Sequence, residues 1–300
     1  MLYETVTGLF SFLQALQNHH EKRRITVCGA EVDQRFYYAK HFGQHGSAKF
    51  IGGKTVIVAI FADDRTCSWS YPLSGKQLTL YNKICSRFKI GLEWLEKQVA
   101  SYNVSADFVW DFSFDQSEYS LCYKAGIDEK LTAMDNRRNV YQAIRSFILE
   151  NVDSEKLMVH YKADNIVYAV FLNAPFGEDY RSYCLPANDT SLSEGQVFYE
   201  TAVFVPYGRG RENTPAVYAH EILHCFGAEE LYHASDYVPQ AYVDYLARNK
   251  VRELMNACYF SKYDRVTTPF SKVDAYSVGL LDTCDAVKKF GLGPNIYHRF

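Results

Sequence analysis

The residues with the clearest chemical meaning in this chain lie in "AHEILHCFGAEELY", residues 219–232. His220 and His224 are four apart, and Glu221 follows the first of them. On an α-helix, residues four apart are offset by about 40° and ~6 Å of rise, so the two imidazoles share one face. At that spacing they can hold one tetrahedral zinc ion, and Glu221, one step round, can reach a water bound to it. The metal lowers the pKa of that water towards ~7, and the carboxylate takes its proton as it attacks a carbonyl. These residue types predict metal-assisted hydrolysis, with a peptide bond as a substrate they suffice to cleave. The competing reading of the same five residues is two histidines on a packed or solvated helix face. HExxH alone is a weak signal, and Gly227 together with an acid at 230 sharpens it.

A helix has to present this face and then stop. Thr214-Pro215 is a suitable start, because Pro just inside a helix removes an N–H that would have gone unpaired there anyway. The stop falls at Gly227. A third ligand six residues beyond His224 cannot come from a continuing helix and still meet the same metal. Glycine takes the left-handed conformation that ends a helix and lets the chain turn back.

"HEILHCFGAEEL" resembles the metzincin signature HExxHxxGxxH/D, in which the residue six after the second His is the third ligand. It is closest to variants with an acid there, as in snapalysin and the immune-inhibitor-A-like proteases, whose run resembles HExxHxxGxPDxY. The matching positions here are Gly227, Glu230 and Tyr232. Glu stands at 230 where the signature has His or Asp, so its carboxylate sits farther out by one methylene. "RELMNACYF", 252–260, resembles the Met turn that lies beneath the zinc in this family, with Met255 as its methionine. "TTPFSKVDAYSVGLLD" resembles the segment that follows that turn and shapes a substrate pocket.

The resemblance implies a zinc metalloendopeptidase. Zn2+ would be held by His220, His224 and Glu230, with Glu221 as general base and acid and Met255 supporting the site. It implies a metzincin-like α+β fold: a mixed twisted sheet with a backing helix and an active-site helix. An upper part would span about 51–227 and a lower part about 228–300. A strand between about 173 and 206 would be the edge along which an extended substrate pairs. Tyr259 and Tyr263 follow the Met turn, as an oxyanion-binding tyrosine does in some metzincins. Alternatives for the third ligand are Glu229, His233 and above all Glu253. If "YVDYLARNKVREL" is a helix, Glu253 gives the gluzincin arrangement of two His and a later Glu. Two further functions stay open: a zinc scaffold that binds without turnover, and hydrolysis of a non-peptide amide.

Periodicity supplies the supporting elements. Apolar residues at helical spacing predict helices over 2–22, 80–101 and around 140–148. "RITVCGAEV", "TVIVAIFADD", "DFVWDFSF", "KLMVHY", "IVYAVFL" and "TAVFVPYG" read as strands. Their alternation predicts a mixed sheet with helices packed on it. The Gly- and His-rich run at 41–54 marks a boundary near residue 50, which leaves residues 1–50 as an N-terminal helical extension, a pro-segment or docking module. "VCGAEVD" invites comparison with the cysteine switch of matrix metalloproteinases, but it lacks the proline, and an ordinary buried Cys28 is the better reading.

Composition narrows the class. The chain has 300 residues, 32 basic and 35 acidic side chains, and a net charge of −3, which argues against a nucleic-acid partner. No run reaches the ~18 consecutive apolar residues of a membrane span, and the N-terminus lacks a secretion signal's basic start, so a cytoplasmic location is expected. Eight Cys without CxxC spacing read as reduced, structural thiols. With 24 Tyr and 20 Phe, an aromatic-rich core is expected. Histidines 19, 20, 41, 45, 160 and 298 show no ligand spacing. The partner expected is a peptide or protein substrate; nothing specifies an oligomeric state.

Overall fold

The computed structural model describes residues 24–27, 30–33, 46–48, 50–114, 117–186, 192 and 198–294. The expected helix over 2–22, Cys28 and histidines 19, 20, 41, 45 and 298 lie outside these residues. Where "RITVCGAEV" reads as one strand, two strands form: β1 (Arg24–Val27) and β2 (Ala30–Asp33) pair antiparallel. The main body then runs β3 (Gly53–Asp63), α1 (Gly75–Ala100), β4 (Ala106–Val109), β5 (Cys122–Gly126), α2 (Arg137–Asn151), α3 (Ser154–Tyr161) and β6 (Asn165–Leu172). It continues with β7 (Tyr183–Leu185), β8 (Thr201–Phe204), the small hairpin β9 (Tyr207–Gly208) and β10 (Arg211–Glu212), and α4 (Pro215–Cys225). Four shorter helices complete it: α5 (Gln240–Arg248), α6 (Leu254–Ala257), α7 (Lys272–Ser277) and α8 (Asp285–Phe290). No helix among the described residues is long and apolar enough to cross a membrane.

The six-stranded sheet has the order β4-β3-β6-β8-β7, with β5 also pairing β3. All pairings are parallel except that of the edge strand β7, which runs antiparallel to β8. Strands β3 and β6 are apolar almost throughout because both sheet faces are covered. Ile57, Ala59 and Phe61 point into the core under α1 and α4, while Val56, Val58 and Ile60 point into the core under α2. The aromatic residues gather on the first side. Phe61 stacks on Phe171 at 5.0 Å, and Phe88 and Phe204 close on Tyr218 of α4 at 5.8 and 5.0 Å.

Two strand expectations need correction. "KLMVHY" is helical, not extended: it lies in α3, where Asp153 accepts a hydrogen bond from the Lys156 N–H and Lys162, at φ 54°, ends the turn. A six-residue apolar run does not separate helix from strand by period, and here the N-cap decides. "DFVWDFSF" is a strand only to Val109, because Phe112 and Phe114 leave the sheet to pack edge-on against Phe61. β5, with its mixed CYKAG sequence, takes up the pairing along the rest of β3.

Helix α1 backs the site by close approach. A Cβ on Gly91 would lie 2.5 Å from the Pro215 carbonyl oxygen, so only glycine lets α1 lie this close to the start of α4. Elsewhere the buried Glu200 fastens residues 47 and 48. Its Oε2 accepts from the Ser47 N–H at 2.7 Å, the Ser47 hydroxyl at 2.5 Å and the Ala48 N–H at 2.8 Å. Burial pushes its pKa up to about 7, against the stabilising pull of those donors. A carboxyl whose pKa is raised in the fold stabilises fully below its unfolded value, near 4.5, and loses that contribution as pH rises through about 7. Glu200→Gln keeps an acceptor for Ser47 and Ala48 without the charge. Between pH 5 and 8 the wild type is expected to lose roughly 3 kcal/mol more than this variant in urea unfolding. Equal pH slopes in the two proteins would rule out this role for Glu200.

Candidate metal centre

Helix α4 is buried along its whole length, His220, Glu221 and His224 included. Thr214 precedes it in extended conformation, Pro215 occupies the first turn, and the Thr214 hydroxyl donates to the Cys258 carbonyl at 3.0 Å. The helix ends as the glycine signal implies. Gly227 has φ +86°, its N–H donates to the His224 carbonyl at 2.9 Å, and the Ala228 N–H donates to the Leu223 carbonyl at 3.3 Å. That bonding pattern is a Schellman turn.

The turn also fixes the rings. His224 Nδ1 lies 2.7 Å from the Ala228 carbonyl oxygen, and His220 Nδ1 lies 3.1 Å from the Leu254 carbonyl oxygen. A carbonyl oxygen can only accept, so both Nδ1 atoms carry hydrogen, and in the neutral rings both Nε2 atoms present lone pairs. Those two Nε2 atoms are 3.1 Å apart. Glu230 completes the convergence, with Oε1 at 3.1 Å from His224 Nε2 and Oε2 at 3.5 Å from His220 Nε2. Glu221 stands beside them: one donor atom from each of His220, Glu221 and His224 falls within 4.8 Å of the others.

The electrostatics of the three side chains are strongly coupled. Burial alone would pull both histidine pKa values down, yet that of His220 is raised well above normal by Cys258 and Glu230, and that of His224 is raised by Glu230. Burial works the other way on Glu230, and the two imidazoles outweigh it, holding its carboxyl well below the usual range. All three shifts favour positive charge at one point between the side chains. Glu221 Oε2 and Glu230 Oε2 are buried without a hydrogen-bond partner. Two imidazole lone pairs and a carboxylate meeting at a buried point fit a zinc ion.

The segment beneath ties the site together. Met255 is buried in α6, and its carbonyl accepts from the Leu231 N–H at 3.1 Å, one residue past Glu230. The same segment supplies the Leu254 carbonyl that orients His220. Glu253 takes no part. The helix expected to carry it stops at Arg248, Lys250 turns the chain at φ +52°, and Glu253 precedes α6 in extended conformation. Its carboxylate accepts from the Tyr242 hydroxyl at 3.2 Å instead.

A narrow cleft opens on this centre, lined by His220, Glu221, Glu230, Tyr232, Tyr259 and Arg209 among others. A larger one adjoins it along β7, where Glu229 and His233 lie. Tyr263 is elsewhere, under the Arg87 guanidinium. His160 stacks on Tyr119 at 3.7 Å. The seven described cysteines are free; Cys258 lines the cleft beside His220, and Cys184 and Cys225 have sulfurs 3.5 Å apart. The sequence reading passed over Arg209 and Cys258. "YGRGRE" does carry a hairpin signal at Arg209-Gly210, whereas nothing in the spacing places Cys258 beside His220.

The chain matches no protein-family model, and no curated protein matches it in sequence. The function is therefore argued from the site itself.

Proposed function

We propose that the chain is a zinc-dependent metalloendopeptidase of metzincin type, with His220, His224 and Glu230 as metal ligands and Glu221 as general base and acid. One observation carries the reading: the Glu230 carboxylate meets the Nε2 atoms of both histidines, six residues beyond the second and across the turn at Gly227. The antiparallel edge strand β7, bordering the larger cleft, supports it further, since an extended peptide can pair along such an edge.

Bound there, zinc would supply a Lewis acid that acidifies water and polarises a carbonyl. The chain's own residues do the rest. Burial raises the pKa of Glu221, so this carboxylate readily takes a proton from the attacking water and returns it to the leaving nitrogen. Its unpartnered Oε2 is the atom available for that transfer. Carbonyl acceptors hold both imidazole rings in one orientation, so they need not reorganise during the reaction. Tyr232 and Tyr259 line the cleft, and burial raises the hydroxyl pKa of Tyr259, which keeps it protonated as a donor to a developing oxyanion.

The first test is bound metal per chain by elemental analysis, paired with cleavage of quenched fluorescent peptides. Zinc at one per chain, lost in a His220→Ala, His224→Ala double variant along with cleavage, is the expected result. If no metal binds after reconstitution, the enzyme reading has to be abandoned.

A further inference from the structure

We propose that Arg209 makes a carboxylate-binding subsite beside the metal centre, which selects substrates carrying an acidic group next to the scissile bond. This rests on the peptidase reading above. Arg209 and Gly210 form the two-residue loop between β9 and β10, where Gly208 pairs with Arg211. Both loop residues have positive φ, +52° for Arg209 and +70° for Gly210. Two successive left-handed residues make a type I′ turn, which suits Gly and strains a long side chain such as Arg. A residue kept in an unfavourable conformation beside a reactive centre points to a task for its side chain.

The hairpin is held firmly on the cleft. At its outer end, Glu212 pairs with Lys83 at 2.7 Å and Arg87 at 2.6 Å, both on α1. On its inner side a Cβ on Gly208 would lie 2.6 Å from the Tyr259 hydroxyl oxygen, so the two surfaces are in close contact. The Arg209 guanidinium is thereby placed 5.4 Å from the Tyr259 ring centre and 5.8 Å from that of Tyr232. Among the described residues no carboxylate pairs with it. Glu230, which lines the same cleft, is turned to the imidazoles. Arg181 lines the same cleft and, among the described residues, has Asp179 at 3.5 Å as its one carboxylate partner.

An exposed guanidinium between two phenol faces is oriented but not neutralised. Its planar fork matches a carboxylate, the anion that peptides carry at Asp, Glu and the C-terminus. The two sources share this chemistry, and peptide design separates them.

The test uses zinc-loaded wild type and Arg209→Gly. Glycine adopts the left-handed conformation without cost, so this variant removes the guanidinium while suiting the turn, and its Tm is expected not to fall. Blocked peptides with Glu scanned through each position near the cleavage site are compared with their Gln counterparts, and amidated with free C-termini. The wild type is expected to favour a carboxylate at one position by about ten- to a hundredfold in kcat/KM, from one charge-assisted hydrogen-bonded pair. In Arg209→Gly that ratio should fall to within about threefold, on the same estimate. Equilibrium binding of the same peptide pairs to the zinc-loaded Glu221→Gln protein gives a second readout. A wild type that cleaves peptides but ignores the carboxylate, or a preference that survives in Arg209→Gly, overturns the subsite alone. A wild type that cleaves nothing defeats the peptidase reading, and the binding pairs still decide whether Arg209 holds a carboxylate.

Discussion

Glu221→Gln is expected to retain one zinc per chain and to lower peptide hydrolysis by about 10²–10⁴-fold, the usual contribution of a positioned proton carrier. Glu221 shares α4 with both histidines but is one step round from His220, and its Oε2 has no hydrogen-bond partner among the described residues. Glutamine preserves its size and cannot take a proton. The metal should stay because the side chains proposed as its ligands, His220, His224 and Glu230, keep their close approach to one another. Stability should respond in the opposite direction to activity. A buried, unpaired carboxylate is costly to keep charged, so the neutral amide should leave the metal-free protein at least as stable as the wild type. Metal analysis, thermal unfolding of the metal-free protein and peptide cleavage, made on one preparation, check all three. Cleavage at the wild-type rate would remove Glu221 from the mechanism. Loss of zinc with loss of cleavage would recast it as a ligand.

Legibility in the sequence followed the kind of constraint involved. The HExxH face was readable because a helix turns spacing directly into geometry, and Gly227 because only a few residue types serve at a left-handed helix end. The apolar runs of β3 and β6 were readable as strands because burial on both faces leaves no room for polar alternation. Glu230 was reached only through family spacing. No local rule says which of three nearby candidates a chain will turn towards His220 and His224, and here Glu230 is brought there beside the Leu231–Met255 backbone bond, which links residues 24 positions apart. The same distance effect hid Cys258 and Arg209, whose neighbours come from other parts of the chain. The mistaken strand at "KLMVHY" has a local cause: its apolar residues fit either period, and the capping Asp153 lies just outside the run. Glu253 was plausible only while the helix from Gln240 was allowed to continue. The αL residue at Lys250 breaks that continuity, and a lysine does not announce such a turn as a glycine would.

Glu230→Ala and Glu253→Ala should separate the two candidate third ligands by metal content. Removal of an outer partner of a metal ligand typically costs about 10–100-fold in affinity, and loss of one of three protein ligands should cost more. Under a zinc-buffering chelator set to half-load the wild type, Glu230→Ala is expected to hold almost no zinc, while Glu253→Ala should load like the wild type. Stability supplies an independent reading, because a ligand that binds only the folded state adds about 2.7 kcal/mol at a hundredfold excess over its Kd. Zinc should therefore raise the Tm of the wild type and of Glu253→Ala, with the rise abolished in Glu230→Ala. Glu253→Ala carries its own, metal-independent cost, since it takes the Glu253 acceptor away from the hydroxyl of the buried Tyr242. A Glu230→Asp variant tests reach. Its carboxylate is one methylene shorter, so unless the turn after Gly227 moves inward it stops short of the 3.1 and 3.5 Å contacts made by glutamate. Zinc binding by Asp at wild-type strength would mean that this turn adjusts to the ligand. Weak binding would mean that the Schellman turn and the Leu231–Met255 bond fix the backbone, and that the longer acid at 230 is what this backbone requires.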